Sequence, residues 1–105
     1  VSIEQQETTK GITLKIIGSF SIYEAAAGRE ALLQGLSAHD DVTVDLEGVE
    51  ECDVAGVQLL CAAGKTAAEM GKGFRVTAAP PSVVRVMDEM GMHSIEWRHP
   101  TPEAG

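Results

Sequence analysis

The residues best placed to do chemistry are Asp53-Val54-Ala55-Gly56, which follow a β-branched run and open a long stretch of small residues. That order puts a carboxylate at the entry of a helix. A helix N-terminus turns its free N–H groups outward, where they take an anion, a capping side chain or a partner's carbonyl. Asp53 is the expected cap: its carboxylate can accept from the N–H of Ala55 or Gly56, and its charge suits the positive helix end, a contribution of about 1 kcal/mol. The other reactive residue types do not converge. Cys52 and Cys61 have the spacing of neither a C-x-x-C redox pair nor a zinc knuckle, and read as two small buried thiols in a reducing compartment. His39, His93 and His99 fall in separate loops or the tail, which fits surface histidines and no metal site. Gly64-Lys65-Thr66 copies the end of a phosphate-binding loop, but the first glycine would have to stand where Leu59 is, inside a helical pattern. No G-x-S-x-G elbow occurs. The expectation is a protein with no catalytic residue, metal or cofactor, and not an enzyme.

The elements that would position Asp53 can be read from periodicity. Ser2 to Gln6, with Ile3 inward, and Ile12 to Ile17 alternate as strands on either side of the turn Thr8-Thr9-Lys10-Gly11, which predicts a hairpin. Gly18-Ser19-Phe20-Ser21 is expected to end the second strand. Ser21 then caps a helix from Ile22 to about Leu36, with Glu24 completing a capping box and Ile22, Ala25, Ala26, Leu32, Leu33 and Leu36 forming its buried stripe. Val42, Val44 and Leu46 begin a strand, Glu47 to Glu51 form an acidic turn, and the helix after Asp53 runs from Val54 to about Met70, stopped by Gly71 and Gly73. Phe74 to Ala79 is another strand, ended by Pro80-Pro81. Ser82 caps a third helix that closes at Gly91, and Ile95 to Trp97 adds a short edge strand before a frayed tail from Arg98 to Gly105. The predicted order is β-β-α-β-α-β-α-β: one α/β domain over residues 1–97, with a mixed sheet, an N-terminal hairpin and three main helices.

Length and charge bound what such a domain can do. At 105 residues it is a single core, able to stand without metals or disulfides. Sixteen acidic residues against eight basic ones give a net charge of -8, which repels phosphate backbones and anionic membranes. No apolar run approaches the roughly 20 residues of a membrane span, so a cytoplasmic protein with no direct membrane insertion is expected.

The whole pattern, and above all V-T-V-D-L-E-G-V-E-E-C-D-V-A-G-V followed by G-K-G-F-R-V-T-A-A-P-P-S-V-V-R-V-M-D-E-M-G-M, resembles the STAS domain, the family named for sulfate transporters and anti-sigma-factor antagonists. The resemblance covers roughly residues 3 to 97. It implies a protein-interaction module in signal transduction and transcription regulation in bacteria. In the family's antagonists the turn reads Asp, then a Ser or Thr phosphorylated by a partner kinase, then any residue, then Gly. Here the acceptor position is Val54, which has no hydroxyl. The Asp of the loop after the family's second strand corresponds to Ser21, so both switch positions are degenerate. Valine keeps the shape of threonine without a switch of about two negative charges, which predicts a constitutively binding-competent module.

On a helical wheel, Val54, Val57, Leu60, Cys61, Gly64 and Ala68 face the sheet, while Gln58, Lys65 and Glu69 form a polar strip. The remaining arc, Ala55, Leu59, Ala63, Thr66 and Met70, is either covered by a neighbouring helix or an apolar docking patch. The docking reading makes Asp53, Val54, Ala55, Gly56, Leu59, Ala63 and Met70 the partner-binding residues. The resemblance names the partner as an anti-sigma factor with a kinase fold, the ATPase of an ABC lipid-transport system, or a signalling complex. A small-ligand or nucleotide sensor using the Val54 helix terminus is the competing class, opposed by the acidic Glu47, Glu50, Glu51 and Asp53.

Overall fold

The computed structural model describes residues 2–9 and 11–90. Eight elements follow one another: β1 (Ser2–Glu7), β2 (Gly11–Phe20), α1 (Ala25–Ala38), β3 (Asp41–Asp45), β4 (Val49–Cys52), α2 (Val54–Met70), β5 (Gly73–Thr77) and α3 (Pro81–Glu89). The α/β class, the hairpin, the mixed sheet and the three helices are those expected from the sequence. β1 runs antiparallel to β2, while β3, β4 and β5 are parallel to their neighbours, in the order β1-β2-β3-β5 with β4 also on β2.

Alternation decides which face is buried. Ile12, Leu14 and Ile16 of β2, Val42 and Val44 of β3, and Val76 of β5 all point to one side and are buried. The helices cover that side: Gly35 of α1 sits over Ile12, Val42 and Leu14, and Gly64 of α2 sits over Phe74. The opposite face, with Thr13, Lys15, Thr43, Asp45, Arg75 and Thr77, is half-exposed and polar. No buried polar or charged residue interrupts the core among the described residues, so burial of apolar surface dominates its stability.

Three local readings change. β2 does not end at Gly18. That glycine takes φ 97, a conformation closed to most side chains, and the strand passes through a bulge between Gly18 and Ser19 and continues to Phe20. The acidic turn is also shorter than expected. Only Leu46 to Gly48 leave the ladder, and Val49–Cys52 returns to it as β4. Partners on β2 and β3 differ by 30 in number, as in Gly11 with Asp41, whereas Phe20 and Cys52 differ by 32. β4 therefore continues β3 along β2 after two extra residues, and it is this continuation that carries Asp53 up to the end of β2. Finally, α3 starts at Pro81 behind Pro80, with no side-chain cap, so Ser82 lies inside its first turn and is not the cap. The expected strand at Ile95–Trp97, the tail from Arg98, and His93 and His99 lie outside the described residues.

Candidate docking site

Two loops meet where the parallel strands end. Asp53 has extended backbone (φ -114, ψ -176), and its side chain accepts from the Gly56 N–H at 3.1 Å, so the expected cap is present. The second carboxylate oxygen does something the sequence did not announce. Asp53 Oδ2 accepts from the Ile22 N–H at 3.1 Å, and the Asp53 N–H reaches back to the Phe20 carbonyl at 3.4 Å. One side chain thus caps α2 and ties down the loop between β2 and α1.

That loop has its own clasp. Glu24 Oε1 accepts from the Ser21 N–H at 3.1 Å and from the Ser21 hydroxyl at 2.5 Å, and Ser21 Oγ accepts from the Tyr23 N–H at 3.3 Å. The hydroxyl donated by Ser21 holds the Glu24 carboxyl below its usual range. The expected capping box is half realised: Glu24 reaches back, but α1 begins only at Ala25. Ile22 therefore does not join the buried stripe of α1. It is 64% exposed and Tyr23 is 90% exposed; Val54, which follows the Asp53 that holds the Ile22 N–H, is 46% exposed at the first position of α2. Ala26 and Leu33 are exposed as well, and the stripe of α1 is Gly28, Leu32, Gly35 and Leu36.

The residues expected to bind a partner divide sharply. Asp53 and Ala55 are half-buried and Val54 is open at the turn. Gly56 is buried, and a Cβ there would lie 2.5 Å from the Phe20 carbonyl oxygen, so its role is to let α2 touch the end of β2. Leu59 packs against the core, with a methyl that a Cβ on Gly28 of α1 would meet at 3.1 Å; Ala63, one turn on, is 5% exposed. Leu59 is thus covered by α1 and Ala63 is buried in the core, so neither lies on an open patch. Met70 is 46% exposed, but about 24 Å along the helix from Val54, so it shares no surface with the turn. The buried stripe is Gly56, Val57, Leu60, Ala63 and Ala67, with Val54 and Ala68 outside it.

Sequence reasoning missed Ile22 and Tyr23. The available signal was Tyr23, an aromatic in a chain with four, only two positions after the residue assigned to the cap. Nearby Cys52 is unreactive: burial, reinforced by the Asp53 charge, pushes its thiol up to about 11. Burial also raises Cys61. Among the described residues no group of three His, Cys, Asp or Glu is placed to hold a metal ion, and no helix is long and apolar enough to cross a membrane.

A family model described as "Mlab, STAS domain" matches residues 3–96. Among solved structures, the fold is similar to that of an anti-sigma factor antagonist from Mycobacterium paratuberculosis, with TM-score 0.82 and 19% identity, covering 98% of this chain and 88% of that one. The anti-sigma factor antagonist SpoIIAA in its unphosphorylated form aligns with TM-score 0.76 and 15% identity, over 98% of this chain and 91% of that one. SpoIIAA in the phosphorylated form, described as a Bacillus cell fate determinant, aligns with TM-score 0.73 and 14% identity, over 98% and 95%. At these identities the likeness is one of fold. No curated protein sequence matches the chain. With a family model covering nearly all of its length and a fold to match, the chain belongs to the STAS domain family.

Proposed function

We propose that this protein is a non-catalytic interaction module that docks a partner protein through the Asp53 turn and the first turn of α2, and that it is always competent to do so. The observation that carries the reading is Val54. It stands exposed on a capped helix start, at the position the resemblance assigns to a phosphorylated Ser or Thr, and it has no hydroxyl to modify. Asp53 holds that start rigid by filling the Gly56 N–H and the Ile22 N–H with one carboxylate. The same contact speaks against a sensor for anions or nucleotides, because the helix terminus is already occupied by a charge of the wrong sign for them.

The similar folds support an anti-sigma factor with a kinase fold as the partner class, and with it a role in transcription control in the bacterial cytoplasm. A second reading is favoured by the family model, which is described as Mlab: the same surface would then sit on the ATPase of an ABC lipid-transport system. Affinity capture with the wild-type chain and with Val54→Asp tests both. The partner is expected to be retained by the wild type and lost from Val54→Asp, and its identity separates the two classes. Recovery of the same partner by both forms, or phosphate on residues 53–56 of the native protein, would overturn the proposal.

A further inference from the structure

The face of the sheet turned away from the helices is polar but not uniform. Near the start of its parallel strands it holds a hollow of about 430 Å³, lined by Thr8, Thr9, Thr13, Asp41, Thr43 and Arg75. The strand register builds it. Thr13, Thr43 and Arg75 form one row across β2, β3 and β5, and Gly11, Asp41 and Gly73 form the row two residues earlier. Between two glycines, Asp41 supplies the one side chain of its row. Its carboxylate leans over β5, where a Cβ on Gly73 would stand 2.1 Å from Oδ1. It thus takes the place of a side chain on β5 itself, about 7 Å along that strand from Arg75. The hairpin turn contributes Thr8 and Thr9 and is held closed by Thr8, whose hydroxyl donates to the Gly11 carbonyl and accepts from the Gly11 N–H, both at 3.1 Å.

Opposite charges this near each other ordinarily pair. Among the described residues neither Asp41 nor Arg75 takes part in a salt bridge, and both are half-buried. Partial burial strengthens the pull of each on a ligand, because less water stands between them. One charge of each sign decides what fits. A plain anion at Arg75 meets the Asp41 carboxylate, and a plain cation at Asp41 meets the Arg75 guanidinium. A molecule with an acid group and an ammonium a few ångströms apart meets opposite charge at both ends. The guanidinium takes a carboxylate through two parallel N–H bonds, and the Asp41 carboxylate accepts from an ammonium. Thr13 and Thr43 share the row of Arg75, with hydroxyls able to donate or accept.

We propose that this hollow is a binding site for a free α-amino acid, with Arg75 on its carboxylate, Asp41 on its ammonium, and the hydroxyls of Thr13 and Thr43 completing the hydrogen bonds. The site reads the part that all α-amino acids share. It lies at the end of the strands opposite the Asp53 turn and does not rest on the docking reading.

Titration of the full chain with glycine, followed at the backbone amides by NMR, tests the assignment. Saturable shifts are expected at Thr9, Thr13, Thr43 and Arg75, with half-saturation at about 1–10 mM, as fits a few charge-assisted bonds in a half-open site. The amides of Val54 to Gly56 should stay unmoved, which separates this test from that of the docking turn. Asp41→Asn and Arg75→Gln should each weaken glycine about tenfold or more, with the remaining amides in place to show that the fold is kept. N-acetylglycine, which lacks the ammonium, and glycinamide, which lacks the carboxylate, should each bind about tenfold or more weakly than glycine. No saturable shift through that range overturns the site. So does N-acetylglycine or glycinamide binding as tightly as glycine, which would leave a site for one charge only. Shifts that survive both substitutions, or that fall on Val54 to Gly56 instead, place glycine elsewhere and overturn it as well.

Discussion

The two ends of the parallel sheet are built to opposite purposes. At the end where the strands start, Gly11, Asp41 and Gly73 lie in one hydrogen-bonded row, packed so closely that a Cβ on Gly11 would stand 2.0 Å from the Asp41 carbonyl oxygen and one on Gly73 2.1 Å from its Oδ1. The same end is stitched by Gly73 N–H to the Asp40 carbonyl, by Lys72 Nζ to the Leu36 carbonyl, and by His39 facing Glu7 at 3.7 Å. At the end where the strands finish, the chain instead leaves Ile22, Tyr23 and Val54 uncovered. One end spends its contacts on closing the fold, and the other holds apolar side chains out of the core by means of two carboxylates. Substitutions should therefore separate cleanly, with stability lost at the first end and partner binding lost at the second.

The largest effect is expected from Gly11→Ala. The overlap there is with backbone that cannot move without parting β2 from β3, so a loss of about 4 kcal/mol or more is expected in urea unfolding. Gly73→Ala meets only the Asp41 carboxylate, which can turn aside, and should cost less. If the two cost the same, the row is not the rigid closure described.

Leu59→Asp comes next and tests where the boundary between the two purposes runs. On the sequence alone Leu59 was either covered by a neighbouring helix or an anchor of a docking patch, and only the second reading lets its change spare the fold. Packed on the core beneath Gly28, it should instead destabilise by about 2–4 kcal/mol, because a carboxylate would be left among apolar groups. A thermal midpoint unchanged from wild type would return Leu59 to the docking surface.

What was legible in the sequence follows the strength of each periodic signal. Val42, Val44 and Leu46 alternate with polar residues, so β3 and its inward face could be read directly. α2 could be delimited by Asp53 and Gly71, and both caps are present, but its orientation could not. A helix with Ala at 55, 62, 63, 67 and 68 has little contrast between its faces, and Cys61 and Ala68 pulled the expected stripe away from Ala63 and Ala67. β4 was hidden because Glu50 and Glu51 are exposed on a strand of only four residues. The clasp from Asp53 to Ile22 joins residues 31 apart in the chain, and no local pattern encodes such a contact.

A smaller effect concerns the clasp itself. The Glu24 carboxyl is held below its usual range chiefly by the Ser21 hydroxyl. A depressed folded-state value means that the contact is intact above the ordinary glutamate range and is lost as pH falls through that lower folded value. The Ser21 and Tyr23 amide signals should therefore titrate together in acid, with no change near neutrality. Glu24→Gln should remove the transition at both amides while the rest of the fold is retained. A titration at Tyr23 that survives this substitution would show that another group holds the loop.

The smallest effect is the most informative about function. Val54→Thr replaces a methyl with a hydroxyl at an exposed first helical position, where water satisfies the new group, so stability should stay within about 0.5 kcal/mol of wild type. The shape offered to a partner is nearly unchanged, and binding should be too. What changes is that the turn acquires an acceptor: with ATP and a partner kinase, Val54→Thr should take up one phosphoryl group at residue 54 and release the partner, while the wild type stays unmodified and bound. The bulk of the phosphoryl group and the cost of desolvating its charge, at a position that otherwise offers an apolar side chain, supply the release. If Val54→Thr binds as before but cannot be modified, the open end of the sheet is a docking surface that never carried a switch. If it is modified and stays bound, the partner does not sit over Val54, and the docking turn is not where the interface lies.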